Sequence, residues 1–267
     1  MASQANEEND MTQEIEIKVD NGVQIIRILR ADKKNALTGP MYDAMSAALD
    51  SAEKSDAVAA HVFIGSGGVF SAGNDINDFM RRSRDGSQDV APSQMFIQRL
   101  PKVTRPMIAA VDGLAVGIGV TLLLHCDLVY AAQDARFSMP FTQLGVVPEF
   151  ASSYLLPLIA GYQRAAELLL LGEPFDAERA RSAGFVTAVV PADQVLETAF
   201  AAAEKLARLP KEPVRLTRAL LKSAHREAIE RQLRAEGQQF RRLLKEPAAR
   251  EALAAFLEKR KPDFTDK

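Results

Sequence analysis

The hydrophobic positions of this chain change their period several times, and each change predicts an element. Ile15, Ile17 and Val19 alternate with polar residues, Asp20-Asn21-Gly22 interrupts, and Val23, Ile25, Ile26 and Ile28 follow. Two β-branched runs about an Asn-Gly pair predict a β-hairpin. Met41, Met45, Ala48, Leu49 and Ala52 then recur at helical spacing, and residues 61–64 form a short apolar run ending in Gly65-Ser66-Gly67-Gly68. The succession returns downstream, with helices expected over 75–84 and 93–100, a strand over 106–111, a short helix over 117–124 and a strand over 128–131. Strands alternating with helices imply βαβ connections and an α/β fold.

The two ends differ from this middle. Residues 1–13 are polar and charged without an apolar period, so a disordered tail is expected there. From Pro191 onward the pattern predicts long, charged, Ala- and Leu-rich helices broken by Pro210 and Pro213. The last of them, over 248–259, presents Ala252, Ala255 and Phe256 on one face. The expected division is a tail (1–13), a core (14–200) and a helical C-terminal region (201–267).

Composition narrows the function. At 267 residues the chain is long enough to bury a substantial core. Its 33 Lys+Arg against 35 Asp+Glu leave no basic surplus, so a nucleic-acid partner is not expected. No stretch reaches the roughly 18 apolar residues of a membrane span. One cysteine (Cys126) and three scattered histidines (His61, His125, His225) offer neither a disulfide framework nor a metal-ligand cluster, so no metal is expected. The acidic N-terminus reads as neither a signal nor a transit peptide, and the C-terminal Thr265-Asp266-Lys267 is no evident peroxisomal address; a bacterial-type cytoplasmic location is expected.

Two glycine-containing loops each follow a strand and precede a helix: Gly68-Val69-Phe70-Ser71-Ala72-Gly73-Asn74-Asp75, and Asp112-Gly113-Leu114-Ala115-Val116-Gly117-Ile118-Gly119. Unpaired amides of two such loops, aimed at one point, would stabilise a carbonyl oxygen as it becomes negative. Each loop alone reads equally as an ordinary strand-to-helix turn, and Gly117-Ile118-Gly119 lacks the third glycine of a dinucleotide fingerprint.

Taken together, the segments are more informative. Phe70-Ser71-Ala72-Gly73-Asn74-Asp75-Ile76 and the run from Pro106 through Gly119 resemble the two signature loops of the crotonase (enoyl-CoA hydratase/isomerase) superfamily. Cys126-Asp127-Leu128-Val129-Tyr130-Ala131 and Phe256-Leu257-Glu258-Lys259-Arg260-Lys261-Pro262 fit the same family, and the match extends over roughly residues 14–262. The resemblance implies a spiral of ββα units with a helical C-terminal region that mediates trimerisation, hence a homotrimer or homohexamer. It also implies an acyl-CoA thioester substrate and no separate cofactor, coenzyme A being part of the substrate. The backbone amides that hold the thioester oxygen in the family match Asn74 and Ile118 here. The loop positions Ala72, Ile76 and Gly117 are then expected against the substrate. Lys33 and Lys34 match positions that meet the coenzyme A phosphates or nucleotide, though a solvated basic loop accounts for them equally. Asp75 is either an adenine-region contact or a helix cap, and Lys259 either reaches a neighbouring subunit's nucleotide or is simply solvated.

The carboxylates discriminate among members. A hydratase of this family sets two glutamates around its water, and the matching positions here hold Thr121 and Phe141, neither of which can move a proton at neutral pH. Thr121, Phe141, Phe150, Leu155 and Leu158 are left as acyl-site or core residues, and His125 and Cys126 as packing. One carboxylate stands out: Glu149, in Gly145-Val146-Val147-Pro148-Glu149-Phe150-Ala151-Ser152-Ser153-Tyr154. A glutamate after proline at a helix start is common, but its neighbours are apolar or small, a setting that raises a carboxyl pKa. The segment resembles the peroxisomal-type Δ3,Δ2-enoyl-CoA isomerase branch, in which a glutamate at the matching position is the acid–base. The expectation is therefore a Δ3,Δ2-enoyl-CoA isomerase of fatty-acid β-oxidation. The alternatives are a hydratase or another crotonase-type acyl-CoA reaction, or a non-catalytic acyl-CoA-binding homologue. If Asn74 contributes only its backbone, Asn74→Ala is expected to matter far less than Glu149→Gln.

Overall fold

In the computed structural model, residues 14–78, 80 and 90–265 are described. The tail expected over 1–13, and most of the second half of the helix expected over 75–84, lie outside them.

The expected hairpin is present: β1 (Ile15–Asp20) pairs antiparallel with β2 (Val23–Ile28) across the Asn21-Gly22 turn. Asn21 and Gly22 both take positive φ, the conformation a two-residue hairpin turn demands. After α1 (Gly39–Glu53), the chain repeats one manoeuvre three times. A five-residue strand enters a large sheet, a corner follows, and a three-residue strand enters a smaller one. The pairs are β3 (Ala60–Ile64) with β4 (Val69–Ser71), β5 (Met107–Val111) with β6 (Leu114–Val116), and β7 (Leu128–Ala132) with β8 (Arg136–Ser138). Helix α2 (Pro92–Arg99) precedes the second pair and α3 (Ile118–Thr121) follows it. The small sheet is completed by β9 (Phe175–Asp176) and the large one by β10 (Ala188–Val190), giving orders β4-β6-β8-β9 and β1-β2-β3-β5-β7-β10. Apart from β1–β2 and β8–β9, the pairings are parallel. This is the spiral of ββα turns that the resemblance implied.

The composition of the large-sheet strands explains their place. β3 and β5 are buried at every residue, as parallel strands covered on both faces require. One cover is a helix running through residue 200 (Val195–Ala207), which packs on β2, β3, β5 and β7. The small-sheet strands are too short to carry a period, so the sequence pattern gives no hint of a second sheet.

Two further helices matter for the site. α4 (Ser152–Ala160) begins directly after the Glu149 segment. α5 (Arg226–Leu243) lies in the charged C-terminal region and returns to pack on both α4 and α2. No helix among the described residues is long and apolar enough to cross a membrane.

Candidate active site

The two glycine loops meet. A Cβ on Gly73 would stand 2.9 Å from the Val116 carbonyl oxygen and 4.0 Å from Gly117 Cα, and one on Gly119 would stand 2.8 Å from the Ser71 carbonyl oxygen. Side chains at these positions would push the loops apart. Gly73 and Gly117 also hold φ of +92° and +55°, where an L side chain is strained. Asn74 and Ile118 each follow one of these touching glycines. Among the described residues, neither amide N–H is taken up by an acceptor, whereas the flanking Gly73, Asp75 and Gly117 amides are all engaged. Ile118 opens α3, where the first N–H groups have no intrahelical partner. Two free donors on touching loops are the arrangement an oxyanion needs.

The Asn74 side chain does more than the sequence suggested. Its Nδ2 donates to Glu149 Oε1 at 3.2 Å, and its Oδ1 accepts from the Tyr42 hydroxyl at 2.5 Å. Tyr42 projects from α1 and is itself wedged against the Phe96 ring of α2. One asparagine thus presents a backbone donor and, through its side chain, tethers the acid that the sequence reads as the acid–base. Asn74→Ala is still expected to matter less than Glu149→Gln, but it now has a side-chain cost of its own. The substitution keeps the amide but frees Glu149 and strands the Tyr42 hydroxyl. We expect kcat to fall by about tenfold or more, as loss of orientation does. Because the Asn74 donor favours the charged carboxylate, its removal should also move the Glu149 titration to higher pH, visible in the pH–rate profile.

Glu149 is only 8% exposed. Burial, and the nearby Glu236 charge second, push its pKa up to about 8, against the smaller opposing effect of the Asn74 hydrogen bond. The segment that carries it is bent in an uncommon way. Phe150 and Ala151 adopt φ of 64° and 56°, a left-handed conformation that costs a non-glycine residue about 1–2 kcal/mol. Three contacts hold it. The Phe150 carbonyl lies 2.7 Å from His125 Nε2. A carbonyl can only accept, so Nε2 carries the proton; burial keeps this imidazole neutral by lowering its pKa to about 3. The Phe150 ring lies beside the His125 ring and meets Phe96 edge-on. The third contact is Glu236, from α5, which accepts from Ala151 N at 2.6 Å, Ser153 N at 3.0 Å and the Ser153 hydroxyl.

Other residues singled out from the sequence fall into place around this centre. Thr121, in α3, is fully buried, and among the described residues its hydroxyl has no partner. Phe141 and Phe150 are buried, whereas Leu158 is half exposed on α4. The exposed Lys33 and Lys34 sit on a 3-10 turn joined to the first loop through Ala72 N donating to the Lys34 carbonyl at 2.9 Å. Ala72 and Ile76 are half-buried on either side of Asn74. Asp75 is committed within the chain: Arg30 pairs with Oδ2 at 2.7 Å, and the Asn77 and Asp78 amides donate to Oδ1, so it serves as a cap. Lys259 follows the last helix and is exposed.

His125 and Glu236 were not read as site residues. The histidine's apolar neighbours concealed its carbonyl partner. Glu236 did leave a trace: it falls at 229, 233, 236, 240 spacing with Ile229, Leu233 and Phe240, an acid on an otherwise apolar stripe of α5.

The fold and these touching loops define a class. The chain belongs to the enoyl-CoA hydratase/isomerase family, whose model matches residues 18–267. Its 1,2-epoxyphenylacetyl-CoA isomerase relative from Escherichia coli is 34% identical over 254 residues, 93% of this chain and 97% of that protein. Enoyl-CoA delta isomerase 2 of Rattus norvegicus is 35% identical over 215 residues, 79% of this chain and 54% of the rat protein. A solved enoyl-CoA hydratase/isomerase from Pseudoalteromonas atlantica superposes with a TM-score of 0.89 at 36% identity, covering 95% of this chain and all of that one.

Proposed function

We propose that this enzyme is a Δ3,Δ2-enoyl-CoA isomerase. The observation that carries the reading is Glu149: a buried carboxylate with a raised proton affinity, tethered by the residue whose amide is one of the two free donors. The positions matching a hydratase's two glutamates hold Thr121 and Phe141 instead. The names of the Escherichia coli and rat relatives, both isomerases of coenzyme A thioesters, support it as well.

The chemistry needs one base and one anion site. In a 3-enoyl thioester the C2 protons are both allylic and α to a carbonyl. Glu149 takes one as its carboxylate, the C2–H electrons form a dienolate, and the negative oxygen rests on the Asn74 and Ile118 amides. The carboxyl group, now protonated, delivers that proton to C4. The double bond moves from C3–C4 to C2–C3, the carbonyl re-forms and the carboxylate is restored. Each amide of such a hole contributes about 2.7–4 kcal/mol of barrier lowering. The reaction is redox-neutral, and coenzyme A enters as part of the substrate. In this reading the exposed basic turn at Lys33 and Lys34, joined to the first loop through Ala72, meets its phosphates.

The test is turnover of 3-hexenoyl-CoA, read as appearance of the conjugated 2-enoyl thioester, beside hydration of crotonyl-CoA by the same preparation. Isomerisation well in excess of hydration is expected. Hydration without isomerisation would replace this reading with a hydratase, and saturable binding with no proton exchange at C2 would replace it with a non-catalytic binder.

A further inference from the structure

Glu236 is buried, 5% exposed, and no lysine or arginine among the described residues pairs with it. Both its oxygens are spent on one short stretch of chain. Oε2 takes the Ala151 amide, and Oε1 takes the Ser153 amide and hydroxyl, with Gln232 donating a further hydrogen bond to that hydroxyl at 2.7 Å. A neutral side chain suffices to cap a helix. Burial raises the pKa of Glu236 to about 7 against the hydrogen bonds from Ser153 and Ala151, which lie at the start of α4 where a helix favours an anion. What lies just upstream of the clamped amides is the left-handed pair Phe150–Ala151, and before that Glu149.

We propose that Glu236 is a positioning residue: by clamping the turn from Ala151 to Ser153 it fixes where the Glu149 carboxylate stands. The inference deepens the isomerase reading and rests on it for its kinetic consequence. The groups facing Glu149 are few. Asn74 reaches it from the first loop, Tyr42 stands behind Asn74 on α1, neutral His125 holds the adjoining carbonyl, and Glu236 binds the amide of Ala151, two residues along the chain from it. Of these, only Glu236 supplies a like charge, and a like charge disfavours ionisation.

Glu236→Gln and Glu236→Ala separate the two effects. The glutamine keeps the volume and one acceptor but removes the charge; the alanine removes both clamps. Two readouts are required: kcat and KM for 3-hexenoyl-CoA against pH, and the titration of the Glu149 carboxyl carbon by 13C NMR, its signal identified by its loss in Glu149→Gln. Glu236→Gln is expected to lower the Glu149 midpoint, and the acidic limb of kcat/KM with it, by about one pH unit. Glu236→Ala is expected to lower kcat about 10–100-fold with KM within a few fold. An unmoved Glu149 midpoint in both variants would overturn the proposal, whether activity is kept or is lost in step with thermal stability as a purely structural cap would have it. Should the wild-type enzyme not isomerise the thioester, the isomerase reading alone falls, and the NMR midpoints still decide the role of Glu236.

Discussion

Glu149→Gln is expected to lower kcat for 3-hexenoyl-CoA by about 10²–10⁴-fold, the usual worth of a positioned acid–base, with KM little changed. Glutamine keeps the shape and can still accept from Asn74 Nδ2, so the loss isolates proton transfer. The same variant carries a second, opposite signature. The carboxyl pKa stands at about 8 in the folded protein against an ordinary 4.5, because burial and the Glu236 charge disfavour the anion. Between those two values the folded chain holds a proton that the unfolded chain has released. Stability drawn from this group is therefore complete below about pH 4.5 and is lost as pH rises through about 8. Glutamine never ionises. The variant should match the wild type in thermal unfolding under acidic conditions and exceed it above pH 8, by an amount on the order of a few kcal/mol. An inactive protein whose stability advantage over the wild type grows from about pH 4.5 to about pH 8 would mark Glu149 as a group kept for chemistry. Full activity in Glu149→Gln would remove it from the mechanism.

The second large effect is on pH. The base must be ionised to take the C2 proton, so kcat/KM should climb about tenfold per pH unit up to a plateau above about pH 8. Two units below that midpoint, the rate should be about a hundredfold under the plateau. A water-exposed carboxylate would instead level off near pH 5, leaving a flat profile through neutrality. Stopped assays that follow the 2-enoyl chromophore across this range distinguish the two shapes. The raised value also suits the second half of the reaction, since a carboxyl that holds its proton near neutrality is matched to returning it to C4.

How much of this was legible beforehand depends on the range of the interaction that decides each feature. The hairpin at Asn21-Gly22 and the buried strands β3, β5 and β7 follow from local period and composition, and the structure has them within one residue of the expected bounds. The small sheet was invisible because strands of three residues, such as β4 and β6, complete barely one alternation. In the site, Glu149 could be noticed from its apolar neighbours, and the loops from their glycines. What could not be read is how they touch. The Asn74 side-chain Nδ2 donates to a carboxylate 75 positions away, and Glu236 reaches Ala151 across 85. Asn74 was valued for its backbone alone, His125 passed as packing and Glu236 was not singled out, because each draws its role from a partner on another element. The left-handed Phe150 and Ala151 belong to the same group: neither residue type asks for that conformation, and contacts from Glu236 and His125 impose it.

The most direct measurement is the fate of the C2 proton. 3-Hexenoyl-CoA deuterated at C2 is incubated with the wild-type enzyme in ordinary water, and the product is analysed by NMR. One carboxyl group shuttling a proton between C2 and C4 predicts a 2-enoyl thioester carrying part of the C2 label at C4, and no such transfer in Glu149→Gln. A 3-hydroxyacyl thioester as the main product, or label transfer undiminished without the Glu149 carboxyl, would contradict it.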